Sequence, residues 1–460
     1  MVNTSRRTAI VGGGVAGVTA AWQLARHGAA FTLFESRARL GGTVETVRRD
    51  GFTVECGPDG WVTEKPWARA LAEELGLGDE LIASNDATRK TYIATAGGLV
   101  AMPDGMRMMV PTDLASLDAS ELFSADAKSA YARELASAGT LKADAPDADE
   151  SVASFVLRHF GAEVLAKIGA PLLGGVFGGD VHTLSVQAVM ANFVALERQH
   201  GSLIAGLQAR LAAAPAGRKP ASIFTSLRGG TGMLIDRMAA SIPGEDVRLT
   251  TPVTAIFRRD GGWIVATASG EEAYDALFLA TPAHVASELL RPLDPRMAEL
   301  TIMEASSAVV AAIAFDEHFD LPPGFGFLAP EGQGSQLLAG TFVDQKFPHR
   351  APEGRRLLRA FFGSAAADRL ALLPDDEIAA LALDELEKIV GRLPAPAFSV
   401  VRRWPKSLPQ YAVGHLERMA GLATRVAAQP GLWLLGNGYR GVGLPDLIRD
   451  ARAAADAVAG

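Results

Sequence analysis

The pattern of apolar and polar positions changes character several times along the chain. Thr8-Ala9-Ile10-Val11 is a β-branched run that predicts a strand, and it leads into Gly12-Gly13-Gly14 and an alanine-rich stretch with helical spacing to about His27. Ala30-Phe31-Thr32-Leu33-Phe34 predicts a second strand, residues 65–78 carry a helical stripe at Leu71, Leu75 and Leu77, and residues 91–102 alternate as two short strands about Gly97-Gly98. Between residues 111 and 217 strand signals fade and Ala, Leu, Glu and Arg dominate, which predicts a helical insertion of about 100 residues. The mixed pattern returns at Ser222. Gly229-Gly230-Thr231-Gly232-Met233 opens a helix, and strand signals follow at residues 247–249, 253–257 and 263–266, with Asp260-Gly261-Gly262 as a hairpin turn. Residues 276–282 predict a buried strand ending in a turn, and residues 301–403 read as strands and long loops. The last segment repeats the opening logic: an apolar run at 432–435, glycines through Gly443, then a terminal alanine-rich helix.

Two strand, glycine turn, helix units at opposite ends imply one discontinuous domain with the others inserted into it. The expected class is α/β (α+β overall). A Rossmann-like nucleotide domain is expected over 1–95, 222–295 and 405–460, a β-rich domain over 96–110 and 296–404, and a helical domain over 111–221.

Composition narrows the partners. The 460 residues are 48% apolar and 21% charged, an ordinary globular balance, and the net charge of −8 argues against a nucleic-acid binder, which would need a basic face. The solitary Cys56 can form no internal disulfide, and the eight histidines show no metal-ligand spacing, so no metal is expected. No apolar run reaches about 18 residues, and the stretch after Arg6 and Arg7 is broken at once by glycines, so neither a membrane span nor a signal peptide is expected. A peripheral association stays open. Phe, at 20, far outnumbers Tyr at 5 and Trp at 6, so an aromatic ligand surface would be hydrocarbon-like.

Each glycine of Gly12-Gly13-Gly14-Val15-Ala16-Gly17 has a physical task. Gly12 makes the tight turn, Gly14 lets a pyrophosphate approach the backbone, and Gly17 lets the helix sit close to the strand, with the helix N-terminus facing the phosphates. Glu35 ends the second strand, where a carboxylate can accept both hydroxyls of an adenosine ribose. A second glycine turn follows at Arg37-Ala38-Arg39-Leu40-Gly41-Gly42-Thr43, where an NAD domain would continue into a helix. This arrangement resembles the FAD-binding unit of the amine-oxidase-like flavoproteins, which favours FAD over NAD.

Further stretches carry a closer resemblance: Gly324-Phe325-Gly326-Phe327-Leu328-Ala329-Pro330, Lys346-Phe347-Pro348-His349-Arg350-Ala351-Pro352-Glu353-Gly354, and Leu408-Pro409-Gln410-Tyr411-Ala412-Val413-Gly414-His415 followed by Gly436-Asn437-Gly438-Tyr439-Arg440-Gly441-Val442-Gly443. Together they resemble the protoporphyrinogen oxidase family, oxygen-dependent flavoenzymes of haem synthesis, with its bacterial coproporphyrinogen-oxidising relatives. The resemblance implies non-covalent FAD held by Gly12, Gly14, Val15, Ala16, Gly17, Glu35, Ser36, Arg39, Gly41, Gly42, Thr43, the turn Gly57, Pro58, Asp59 and Gly60, Val253, Trp404, Gly436, Val442, Gly443 and Leu444. It implies a porphyrinogen pocket with Arg107 on a propionate, Lys65 as a second cation, Leu328 and Leu337 on one face of the macrocycle, Phe361 on the other, and Phe325 in the wall.

The implied reaction removes six electrons and six protons in three rounds of hydride transfer to the flavin, with O2 as acceptor and H2O2 as product. No side chain is assigned as catalytic base; His415 is read as structural. Protoporphyrinogen IX is placed ahead of coproporphyrinogen III, and a flavin amine oxidase or desaturase behind both. A monomer or homodimer in the cytoplasm, with association at the inner face of the membrane left open, completes the expectation. Two departures from the family pattern are Thr43, where relatives carry a basic residue, and Ser364, where they repeat glycine.

Overall fold

A computed structural model of the chain describes residues 6–213 and 222–460, and the chain divides into two compact units. The first gathers Met1–Ser84, Ser222–Glu304 and Glu417–Gly460; the second gathers Asn85–Ala221 and Ala305–Leu416. The expected end of the helical stretch at Gly217 and the boundary at residue 221 lie outside the described residues.

In the first unit the strand Arg7–Val11 is the centre of a five-stranded parallel sheet ordered Val247–Arg248, Ala30–Phe34, Arg7–Val11, Ala276–Leu279, Leu432–Leu434. Helices cover one face and a second sheet the other, which is why these strands are near-continuous apolar runs. Ile10, Leu33 and Phe278 pack with the helices Val15–Arg26 and Leu444–Ala459. Ala9, Val11, Leu277 and Leu279 pack with residues of the antiparallel sheet Val253–Arg259, Gly262–Thr267, Gly270–Tyr274. The hairpin in that sheet turns on Asp260 (φ 51°) and Gly261 (φ 80°), both left-handed as a two-residue turn between right-twisted strands requires.

The second unit is built on a seven-stranded sheet ordered Phe398–Pro409, Ala305–Phe315, Arg356–Gly363, Ala339–Phe342, Gly326–Leu328, Thr91–Thr95, Gly98–Ala101. Alternation sends Tyr92, Ala94, Phe327, Ala360, Phe362 and Val401 into a core shared with the helices Ser364–Leu370 and Asp375–Val390. Ile93 and Leu328, on the opposite face, join a helical core that includes Ala125–Ala136, Val152–Phe160, Ala170–Phe177, Ala191–His200 and Leu203–Ala212. The stretch from 111 to 213 is thus helical and shares a unit with the large sheet.

The helix Asp375–Val390 corrects the reading of 301–403 as strands and loops alone. Its buried Ile378, Ala382, Glu385 and Leu386 recur at helical spacing after an acidic first turn. His415–Ala427 is a further helix beyond the sequence reading.

The helical core contains a closed polar network. His159, fully buried, has Nδ1 3.1 Å from Glu134 and Nε2 3.0 Å from Glu197. Glu134 also accepts from Ser202 Oγ at 2.7 Å and from the Leu203 N–H at 2.5 Å, and Arg158 bridges Glu197 and Glu150. Burial opposes charge on His159, but the two carboxylates outweigh it and hold its pKa above the ordinary histidine value. Four helices are tied together by groups that are costly to separate.

Candidate active site

The glycine turns of the first unit converge at the C-terminal edge of its parallel sheet. At Gly12 (φ 108°) an added Cβ would collide with the Ala280 carbonyl, and at Gly17 with the Gly12 carbonyl, so the turn and the helix behind it close only without side chains. At Gly14 an added Cβ would meet nothing within 4 Å. Open space therefore lies at the backbone position where a pyrophosphate would approach. The helix Val15–Arg26 starts at Gly14 with no side-chain cap and no acid in its first turn, which leaves the positive end of its dipole for a ligand.

Neighbouring turns complete the cradle. Gly41 forms a parallel bridge with Gly14, and its N–H donates to Gly13 O at 2.8 Å. Arg39 braces this second turn from within, donating to Gly42 O at 2.6 Å and pairing with Glu45 at 2.9 Å. A Cβ on Gly57 would collide with the Thr43 carbonyl, so the 57–60 turn packs directly on the 41–43 turn. Glu55 and Thr231, which the sequence reading missed, lock that turn. The buried Glu55 accepts from the Thr231 N–H at 2.7 Å, and Thr231 Oγ1 donates to Pro58 O at 3.1 Å. The signal was the glycine cluster around Thr231, read only as a helix start.

Glu35 stands at the end of its strand with Oε2 2.6 Å from the Gly13 N–H and Oε1 2.8 Å from the Arg37 N–H; Ser36 Oγ lies 3.3 Å from Oε1. A carboxylate has about four lone-pair sites, so one is left for a ribose hydroxyl, and a second is freed if the Ser36 hydroxyl turns away. The segment leading to Val253 runs beside it, with Thr251 N–H donating to Glu35 O at 2.9 Å. At the other end of the sheet, Gly436 (φ 128°) sits with its virtual Cβ 3.7 Å from Thr281 O, so the Ala280-Thr281 loop touches the first and last glycine turns alike. Gly443 starts the terminal helix, again without a side-chain cap, and Val442 and Leu444 flank it. This donor set, an open backbone cradle, two uncapped helix starts and a ribose carboxylate, fits FAD. When bound, FAD supplies two-electron oxidation. Cys56 is buried beside the Val54 carbonyl.

Lys65 does not stand free for a substrate carboxylate. Its Nζ lies 2.5 Å from Asp446 Oδ2, inside the first unit.

In the second unit the strand register decides which predicted pocket residues share a face. Arg402, Val310, Phe361, Ala339 and Leu328 are paired in one row across five strands, so their side chains point the same way. Trp404, Ala308 and Gly363 form the next row on that face. Leu337 is a correction. It is 3% exposed in the core of the opposite face, whereas Leu338 reaches the Phe361 side, where its Cδ1 occupies the space beside Gly363. The strand begins only at Ala339, and the bend at Leu338 breaks the alternation that would otherwise carry Leu337 to the face of Ala339 and Phe361. Phe325 is half-buried one residue before that strand, its N–H donating to Lys90 O at 2.8 Å. Arg107 is exposed and, among the described residues, its guanidinium has no partner; it lies between Met106 and Met108, which pack on the helical core. His415 is 1% exposed and stacked on Tyr411 at 3.9 Å and 12°, a structural position.

Residues 15–459 match the family described as flavin containing amine oxidoreductase. The chain is 31% identical to the coproporphyrinogen III oxidase of Bacillus subtilis (strain 168), over 99% of this chain and 98% of the relative. It is 30% identical to the chloroplastic protoporphyrinogen oxidase of Nicotiana tabacum, over 98% and 85%. A solved structure from Exiguobacterium sp. 255-15 superposes with a TM-score of 0.86 at 34% identity, covering 99% of this chain and 98% of the other. With a cradle that fits the dinucleotide and matches along its whole length, the chain belongs to the flavin containing amine oxidoreductase family, an FAD-dependent oxidoreductase similar to the porphyrinogen oxidases.

Proposed function

We propose that this protein oxidises a porphyrinogen to the porphyrin with O2 as acceptor, and that coproporphyrinogen III is preferred to protoporphyrinogen IX. The observation that carries the reading is the end-to-end similarity to the Bacillus subtilis coproporphyrinogen III oxidase. Relatives so named in Propionibacterium freudenreichii and Staphylococcus aureus support the same order, while the plant relatives support protoporphyrinogen as the second reading. The order of the two substrates thereby differs from the expectation drawn from sequence.

The residues give the reading a physical form. Leu328, Leu338 and Phe361 offer an apolar surface to a flat macrocycle, and Arg402 on the same sheet face adds a cation for a peripheral carboxylate. Arg107 remains the candidate carried by family resemblance for a second carboxylate. A charge-assisted pair of this kind contributes about 1.5–3 kcal/mol, enough to orient a net-acidic substrate on a net-acidic protein. Oxidation of one porphyrinogen releases six electrons and six protons, which reduce three O2 to three H2O2. Aromatisation drives proton loss from the macrocycle, so no protein base is assigned. FAD is held without a covalent bond.

Purified holoprotein given each porphyrinogen under air, with porphyrin fluorescence and O2 uptake followed against an enzyme-free control, tests the proposal. The expected result is turnover of both with the higher kcat/KM on coproporphyrinogen III. A higher value on protoporphyrinogen IX reverses the order, and a flavin-loaded protein that turns over neither removes the function.

A further inference from the structure

The terminal helix carries a feature that opposes its role at a flavin. Its N-terminus is uncapped at Gly443, yet its first turn contains Asp446, a carboxylate only 4% exposed. A negative side chain there suits the helix itself. Beside a cofactor that becomes anionic on reduction, the same charge makes electron uptake less favourable.

The surrounding atoms show how the charge is met. Lys65 Nζ lies 2.5 Å from Asp446 Oδ2, and Arg449 reaches Oδ1 only at 3.4 Å. Lys65 follows the 57–60 turn, so this ion pair ties one wall of the cofactor cradle to the start of the terminal helix. The turn before the helix is shaped around the carboxylate as well: a Cβ on Gly441 would lie 2.9 Å from the Asp446 carboxyl group, and one on Gly443 3.4 Å from Oδ2. The pair lies entirely within the first unit.

We propose that Lys65 and Asp446 form a charge-compensating pair that holds the last glycine turn in place and keeps the reduction potential of the bound flavin high. Lys65 is a positioning residue here, acting through Asp446, in place of the substrate contact expected from sequence. The inference rests on FAD lying across the first and last glycine turns, and goes beyond it by assigning control of the potential to this pair.

The test is made on flavin-loaded full-length protein, reading the two-electron midpoint potential by dye equilibration and the dissociation constant for sulfite, an anion that adds to electron-poor flavins. Lys65→Met leaves the Asp446 charge poorly matched; sulfite affinity is expected to fall about tenfold, with a potential lower by about 30 mV, the two-electron equivalent of that factor. Lys65→Arg should keep both near wild type, and the double variant Lys65→Met/Asp446→Asn should restore them. A Lys65→Met protein that retains flavin with a sulfite dissociation constant within twofold of wild type and a potential within about 9 mV, the two-electron equivalent, overturns the pair's role. Should that variant lose flavin, Asp446→Asn decides, because the proposal requires its potential to rise. Wild-type protein purified without flavin and unable to take up FAD would instead refute the cofactor placement itself.

Discussion

Two helix starts of the first unit and three of the second are treated in opposite ways, although the first unit also caps the helix Pro295–Thr301 through Asp294. In the helical part of the second unit, Ser124, Ser151 and Ser202 each accept a backbone N–H of the first turn, at 3.2, 3.1 and 3.0 Å. In the first unit, the helices beginning at Val15 and Leu444 start at Gly14 and Gly443, and neither glycine can cap. A side-chain cap contributes about 1 kcal/mol to a helix, so omitting it twice at one edge of one sheet leaves donors for something other than the chain. An absent cap alone does not mark a ligand site, since Ala191–His200 and Asp375–Val390 also lack one; what sets these two starts apart is that each is a glycine turn at the same sheet edge.

The largest expected effect probes the structural side. Glu134 accepts from His159, Ser202 and Leu203 in the buried network, and Glu134→Ala should cost about 3–5 kcal/mol because it strands a buried imidazolium. Urea unfolding followed by circular dichroism measures this, and a loss below 1 kcal/mol would show that the network is dispensable. The sign of its pH dependence follows from the raised pKa of His159. That contribution is fully present below about pH 6.5, the ordinary histidine value, and is lost as pH rises through the raised one.

Next in size is Gly14→Asp, which converts a presenting helix start into a capped one. The backbone at Gly14 is extended and its side-chain space is open, so the apoprotein should keep its stability to within about 0.5 kcal/mol. FAD affinity should fall by about 100-fold or more, since a carboxylate replaces the space for a pyrophosphate. Flavin content after desalting, beside the thermal midpoint of the apoprotein, reports both; retained flavin would break the comparison. The smallest effect is Ser151→Ala, with a loss of about 1 kcal/mol and no change in bound flavin.

Much of the first unit was legible because its signals are local. A glycine triplet between a β-branched run and an alanine-rich stretch, and a carboxylate that ends a strand 18 residues after Gly17, are read from spacing alone. The helix Asp375–Val390 was equally local and was missed because the tract around it was judged by its strands. Leu337 and Leu338 illustrate the opposite limit. Both are leucines just before the strand Ala339–Phe342, and only the bend at Leu338 and its packing beside Gly363 reveal which one turns toward the proposed pocket. Lys65 shows it again, since its partner lies 381 residues away along the chain.

The sequence by itself determined the cofactor class and the family resemblance, because turn geometry and helix starts depend on neighbours a few residues apart. Tertiary structure alone decided which side chains share a face and which charges are already matched. Sheet register and long-range ion pairs are set by packing between distant segments, and no local spacing encodes them.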